Sequence, residues 1–257
     1  MARRIFVFCM LGLVKTIGHL FFSFNKNTTD GKETDWNSVR VIAWINHTSL
    51  FDLFLICTFP YRFLWQASKD CMTPIAEKTV KRPILGLLFR NLTSKKTFVS
   101  QKRDDSWNQF LDSIDNSSIV ALFPEGRMKR KNGLDKQGRK LTIRGGIADI
   151  LQKKNEGKML IIYSGGMHHI QAPGEKWPKL FQTIHVRLES TDISEYKNSL
   201  KLKKPFRPND DLIEAKSSMI SNELDDESLK AESFKTEVIK DLTERRSKNL
   251  SLMEVSF

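Results

Sequence analysis

Apolar residues fall along this chain in three patterns, each predicting a different element. The first is a run of about 20 residues, Ile5 to Phe24 (IFVFCMLGLVKTIGHLFFSF), interrupted by Lys15 and His19. That length can just cross a bilayer, but a charge near the centre of a span costs about 2.5–3.5 kcal/mol on insertion scales. The run therefore fits a helix lying in the membrane interface as well as one that spans, and a buried core helix passes the same test. Asn25 to Asp35 then reads as a polar linker.

The second pattern is a set of short apolar runs with strand character: Val39 to Ile45, Phe63 to Ala67, Thr97 to Ser100, Ser118 to Phe123, Met159 to Tyr163 and Phe181 to Glu189. The third is helical spacing. Leu50 to Phe59 follows an N-cap serine, Ser49, and Pro83 to Leu92 opens on its proline. Asp104 to Asp115 places Trp107, Phe110, Leu111 and Ile114 on one stripe, and Ile147 to Lys154 is a further helix. Lys201 to Asp211 is a basic, proline-containing connector. Beyond it, Leu229, Phe234, Val238 and Leu242 mark an amphipathic helix, with the last ten residues expected to be loose. Strands alternating with helices predict one α/β core domain at 36–200, preceded by an apolar segment and linker at 1–35 and followed by a charged connector and helix at 201–257.

Charge changes this picture. The net charge is +12, and residues 210–257 hold 7 Lys/Arg against 12 Asp/Glu, so residues 1–209 carry a surplus of 17 positive charges. An anionic partner follows: a phosphorylated substrate, an anionic membrane surface or nucleic acid. The basic residues lack interleaved aromatic platforms, which argues against single-stranded nucleic acid. Arg3 and Arg4 before the apolar run suit an anionic cytoplasmic leaflet, and no small-x-small cleavage site follows it. Cys9, Cys57 and Cys71 are odd in number and scattered, which predicts neither a disulfide framework nor a zinc site and fits a reducing cytoplasm.

The chemistry concentrates in Asn46-His47-Thr48-Ser49-Leu50-Phe51-Asp52, between the first strand and the first helix of the core. Five steps of about 100° on one helix would part His47 and Asp52 by about 140°, so His47 must lie in the turn before the helix. From the third helical position Asp52 can reach back to it, making a general base with a fixed tautomer. The same residues also spell an ordinary capping box, Ser-x-x-Asp. Later, the strand at Ser118 to Phe123 ends in Phe123-Pro124-Glu125-Gly126, a shaped turn of the kind on which α/β proteins place function. A basic loop follows, from Arg127 to Arg144, with Asp135 as its single acid. It suits phosphate. His168 and His169 are adjacent and without a third ligand at sensible spacing, a poor metal site.

These residues resemble the glycerolipid acyltransferases of the 1-acylglycerol-3-phosphate O-acyltransferase type. Asn46 to Asp52 resembles the family's His-x4-Asp motif, Pro83 to Arg103 its second motif, Phe123 to Gly126 its third, and Arg144-Gly145-Gly146 with Ala148 the helix start that follows. Arg127 stands where the family usually has Thr, and Ile161-Ile162-Tyr163 lacks the proline of the fourth motif. The resemblance implies a central mixed β-sheet flanked by helices, with a membrane-associated N-terminal helix at the cytoplasmic face. It implies direct acyl transfer from acyl-CoA or acyl carrier protein to the hydroxyl of lysophosphatidic acid or a related lysolipid, with glycerol 3-phosphate as an alternative acceptor. His47 and Asp52 would be catalytic. Arg103, Phe123, Pro124, Glu125, Gly126, Arg127 and Arg144 would hold the acceptor, with no metal or other cofactor. A non-catalytic module for anionic lipid would explain the charge but not the motifs occurring together.

Overall fold

The computed structural model describes residues 1–76, 98–99, 105–202 and 223–254. Among them the strands are β1 (Ser23–Thr28), β2 (Val39–Ile45), β3 (Cys71–Met72), β4 (Ile75–Ala76), β5 (Phe98–Val99), β6 (Ile119–Leu122), β7 (Lys158–Ser164) and β8 (Thr183–Asp192). Six of them form a mixed sheet in the order β1-β8-β7-β2-β6-β3, and β4 pairs with β5 alone. β2 lies between β7 and β6, parallel to both, whereas β8 runs antiparallel to β7.

Successive residues of a strand face opposite ways, so the sheet has two cores. β7 sends Met159, Ile161 and Tyr163 into one and Leu160 and Ile162 into the other. β2 alternates in the same way from Val41 onward, and a register shift between Val39 and Val41 puts Val39 on the same side as Ile42. The side holding Ile42 and Leu160 is covered by α1 (Ala2–Phe21), a 3-10 helix (Leu50–Thr58) and α2 (Tyr61–Asp70). The other is covered by α3 (Asp105–Asp112), α4 (Gly146–Lys153), α5 (Ile193–Leu202) and α6 (Glu223–Glu254). This is the expected mixed sheet flanked by helices.

Three expectations are corrected. Phe63 to Ala67 is not a strand but the middle of α2, which begins after Pro60 and buries Phe63, Leu64, Ala67 and Ser68, a helical spacing. Asn25 to Asp35 is not wholly linker, because Asn25–Thr28 belongs to β1, hydrogen-bonded along β8. Of the last ten residues, 248–254 are not loose: α6 continues to Glu254, with Asn249 and Met253 buried, and the final three lie outside the described residues. Leu229, expected on the docking stripe of α6, is exposed, while Val238 and Leu242 are buried as expected. The expected helix at Pro83 to Leu92, and the connector beyond Leu202, lie outside the described residues.

α1 is apolar on both faces: Val7 and Leu11 are buried against the core, and three of its polar side chains reach carbonyls of the body. The Arg4 guanidinium donates to the Trp65 carbonyl at 3.2 and 3.1 Å. Lys15 Nζ donates to the carbonyls of Cys57 (2.7 Å) and Phe59 (2.5 Å), and His19 Nε2 lies 3.3 Å from the Cys57 carbonyl. Carbonyls at a helix C-terminus lack intrahelical partners and attract cations, so Lys15 is satisfied there. The approach is close because residue 18 is glycine: a Cβ on Gly18 would stand 2.3 Å from Cys57 Sγ. Outward face Ile5, Phe6, Leu13, Ile17 and Leu20, all exposed. α1 is long and apolar enough to cross a membrane by length and composition.

Candidate active site

The C-terminal ends of β2, β6 and β7 lie side by side at the middle of the sheet, the place where open α/β sheets bind ligands. β2 is followed by Asn46, whose backbone is left-handed (φ 71°), a conformation asparagine tolerates better than most residues. The turn is held from several directions. Asn46 Nδ2 donates to the Ser164 carbonyl at the end of β7 (2.9 Å), and the Met167 amide donates to Thr48 Oγ1 (2.7 Å). The Lys129 amide donates to the His47 carbonyl (2.7 Å). From the turn after β6, Glu125 accepts the amides of Asn46 (Oε1, 3.3 Å) and His47 (Oε2, 2.9 Å).

On this anchored turn His47 Nδ1 lies 2.6 Å from Asp52 Oδ2. The same oxygen accepts the Thr48 amide (2.9 Å) and the Ser49 amide (3.2 Å), while Ser49 Oγ caps the 3-10 helix through the Phe51 amide (3.2 Å). Catalytic pair and capping box are thus one arrangement. Because a carboxylate oxygen only accepts, the pairing puts the imidazole proton on Nδ1 and leaves Nε2 with its lone pair. Asp52 is buried, His47 is 18% exposed, and Phe123 packs against the imidazole with ring centroids 4.1 Å apart.

Beyond the turn, Gly126 is left-handed (φ 64°), and Arg144 packs across it with Cδ 3.2 Å from where a Cβ would be. Arg127 donates to Asp135 Oδ2 (2.6 Å), and Arg139 Nε donates to the same oxygen (3.0 Å). Burial would push the Asp135 carboxyl up, but the Arg139 amide, the Arg127 guanidinium, the Gln137 amide and the Arg139 side chain together hold it well below the usual carboxylate range. Arg144 is held below its ordinary value by burial first and then by the guanidiniums of Arg127 and Arg139. Three guanidiniums around one acid favour an anion. A cavity of about 410 Å³ opens beside this cluster, with Ser49, Leu50, Arg127, Arg130 and Lys136 among its walls.

The profile of the family described as Acyltransferase matches residues 26–166. The chain belongs to the acyltransferase family. This is the family to which the four motifs pointed, and the match contains all four. No curated protein matches the chain significantly. Among solved structures it is similar to the 1-acyl-sn-glycerophosphate (LPA) acyltransferase PlsC from Thermotoga maritima, at 18% identity over 76% of this chain and 81% of that one, with a TM-score of 0.46.

In this acyltransferase the fold brings together His47, Asp52, Phe123, Glu125, Gly126 and Arg144, with the Pro124 carbonyl accepting the Arg144 amide (2.9 Å). Arg127 follows directly after them and lines the neighbouring cavity with Ser49 and Leu50, part of its guanidinium committed to Asp135. Arg103 lies outside the described residues. His168 and His169 point to separate carbonyls, those of Lys129 and Thr183. Sequence reasoning passed over Thr48, Ser164 and Arg246, whose contacts with the site span 118 residues or more. Asn46 alone left a signal, as a turn residue at a strand end.

Proposed function

We propose that this acyltransferase moves a fatty acyl group from an acyl thioester of coenzyme A or acyl carrier protein to the free hydroxyl of lysophosphatidic acid or a related lysolipid. The reading rests chiefly on His47 Nδ1 paired with Asp52 Oδ2 at 2.6 Å on a turn fixed by neighbouring strands. His47 Nε2 takes the proton of the acceptor hydroxyl as its oxygen attacks the thioester carbonyl. The C–S bond breaks, and the imidazolium, stabilised by Asp52, returns the proton to the departing thiolate. The alcohol attacks directly, so no enzyme nucleophile is needed, and burial pushes the Cys57 thiol up to about 12, away from thiolate chemistry. Arg127 and Arg144 at the basic cluster, with Arg103 as the motif resemblance implies, hold the acceptor's phosphate.

The test is purified protein in detergent with labelled acyl-CoA or acyl carrier protein and a panel of lysolipids and glycerol 3-phosphate, followed by product identification. An acylated phosphate-bearing lysolipid is expected, formed faster than from its dephosphorylated counterpart. Acylation of glycerol 3-phosphate alone would replace the acceptor assignment, and no transfer to any acceptor would overturn the reading.

For location, the exposed apolar row of α1 supports a protein resting on the cytoplasmic leaflet with that row in lipid, where a lysolipid acceptor is found. The basic body adds attraction to anionic headgroups.

A further inference from the structure

The geometry points to Arg246, on α6, as a positioning residue of the acyltransferase: it holds the Glu125 carboxylate in the orientation that fixes the His47 turn. The inference rests on the reading of His47 as the general base. Glu125 is fully buried, and Arg246, 16% exposed, has its Nε 3.3 Å from Glu125 Oε1. Among the described residues it is the one cation within ion-pair distance of that carboxylate. Arg246 Nη1 also donates to the Leu141 carbonyl (3.0 Å), in the segment that leads through Arg144 into α4. One guanidinium therefore ties α6, the Glu125 turn and the start of the Arg144 segment together.

The chemistry gives this contact a particular consequence. Each carboxylate oxygen of Glu125 accepts one backbone amide of the catalytic turn, Oε1 that of Asn46 and Oε2 that of His47. A neutral acid would carry a proton on one oxygen and lose an acceptor position there. The turn thus needs the charged form, and a buried charge needs a counter-charge. Arg246 supplies it from a helix beyond the matched residues 26–166.

Its neighbour Arg245 fastens the same turn of α6 to the sheet. It pairs with Glu189 of β8 and, through Nε at 2.6 Å, with Asp241. Glu189 in turn accepts the Tyr163 hydroxyl of β7 at 2.7 Å. The adjacent arginines divide the work: Arg245 docks the helix, and Arg246 reaches from the docked helix to the catalytic turn.

The test is a double-mutant cycle on the full chain, with Arg246→Met, Arg246→Lys and Glu125→Gln, read by kcat, KM and hydrogen exchange at Asn46–Ser49. Arg246→Met is expected to lower kcat about a hundredfold, the order of loss from a small misplacement of a catalytic group, with KM for both substrates nearly unchanged. Arg246→Lys should recover much of that loss. In the Glu125→Gln background, Arg246→Met should cost less than about threefold, because the carboxylate through which it acts is already gone. Equal losses in both backgrounds would show that Arg246 acts only by docking α6, and wild-type kcat in Arg246→Met would overturn the assignment outright. If Arg246→Met does not fold, Arg246→Gln, which also removes the charge, decides in the two backgrounds by the same comparison. Exchange at Asn46–Ser49 should quicken in Arg246→Met relative to wild type, and unchanged exchange would sink the proposal. Because exchange needs no turnover, a wild-type protein without acyl transfer would refute the acyltransfer reading while the exchange data still judged Arg246.

Discussion

Asp52 Oδ2 accepts the His47 ring and the amides of Thr48 and Ser49, so one atom both orients the imidazole and closes the start of the 3-10 helix. The two duties can be separated, because His47 has only the first of them. His47→Ala should remove about 100- to 10,000-fold of kcat, the usual worth of a general base, with thermal stability close to wild type. Asp52→Asn should lose activity to a lesser extent and also stability, by about 1 kcal/mol for an impaired cap. Steady-state kinetics and thermal unfolding of the two variants check this. A folded His47→Ala enzyme with wild-type turnover would leave capping as the only role of the pair.

At the scale of elements, the loop from Arg127 to Arg144 is organised around one carboxylate rather than around apolar packing. Asp135 Oδ1 accepts the amides of Gln137 and Arg139, and Oδ2 accepts Arg127 and Arg139 side chains. Its carboxyl titrates below the ordinary range in the folded protein, so its contribution to stability is fully present above the unfolded value of about 3.9 and is lost as pH falls below it. Asp135→Asn should therefore lower Tm by a constant amount from neutral pH to about pH 5, and the gap to wild type should narrow below about pH 4. Thermal unfolding across pH measures it, and a gap still at its full neutral-pH size at about pH 2 would mean that the ionised carboxylate does not organise the loop.

The elements also show what a sequence can and cannot disclose. His47 and Asp52 were readable because their contact is made within one turn and one cap. β8 was readable from its alternation, and β2, β6 and β7 from continuous apolar runs bounded by turn residues, the mark of strands buried on both faces. The short run at Phe63 was read as a strand because five apolar-rich residues carry too little periodicity to separate a strand from a buried helix face. β1 was missed because it is an edge strand, mostly exposed, with the sequence SFNKNT. The contacts of Asn46 with Ser164, Thr48 with Met167 and Glu125 with Arg246 depend on how strands and helices are assembled, and no local pattern announces them.

At the scale of the whole molecule, an exposed apolar row belongs to a chain of net charge +12, and the two properties decide how membrane binding is to be tested. The outward row of α1 continues at its C-terminal end into a loop where Trp177 is 82% and Phe181 75% exposed. The Phe181 amide donates to the Phe21 carbonyl at 2.7 Å, and the two rings lie 6.2 Å apart. Phe181 is held left-handed (φ 60°), a costly conformation for an aromatic residue that here keeps its ring at the surface beside α1. Removing residues 1–33 would take away β1 and the cover of one core, so outward substitutions give the cleaner test. Wild type should stay with anionic vesicles at 1 M salt, where a Debye length of about 3 Å weakens the headgroup attraction and leaves apolar insertion intact, and should leave them in detergent. Leu13→Glu with Leu20→Glu should bind only at low salt, with little change in Tm, because both side chains point away from the core. Wild-type sedimentation with vesicles only at low salt would reduce α1 to a cover for the core and leave acceptor delivery to charge alone.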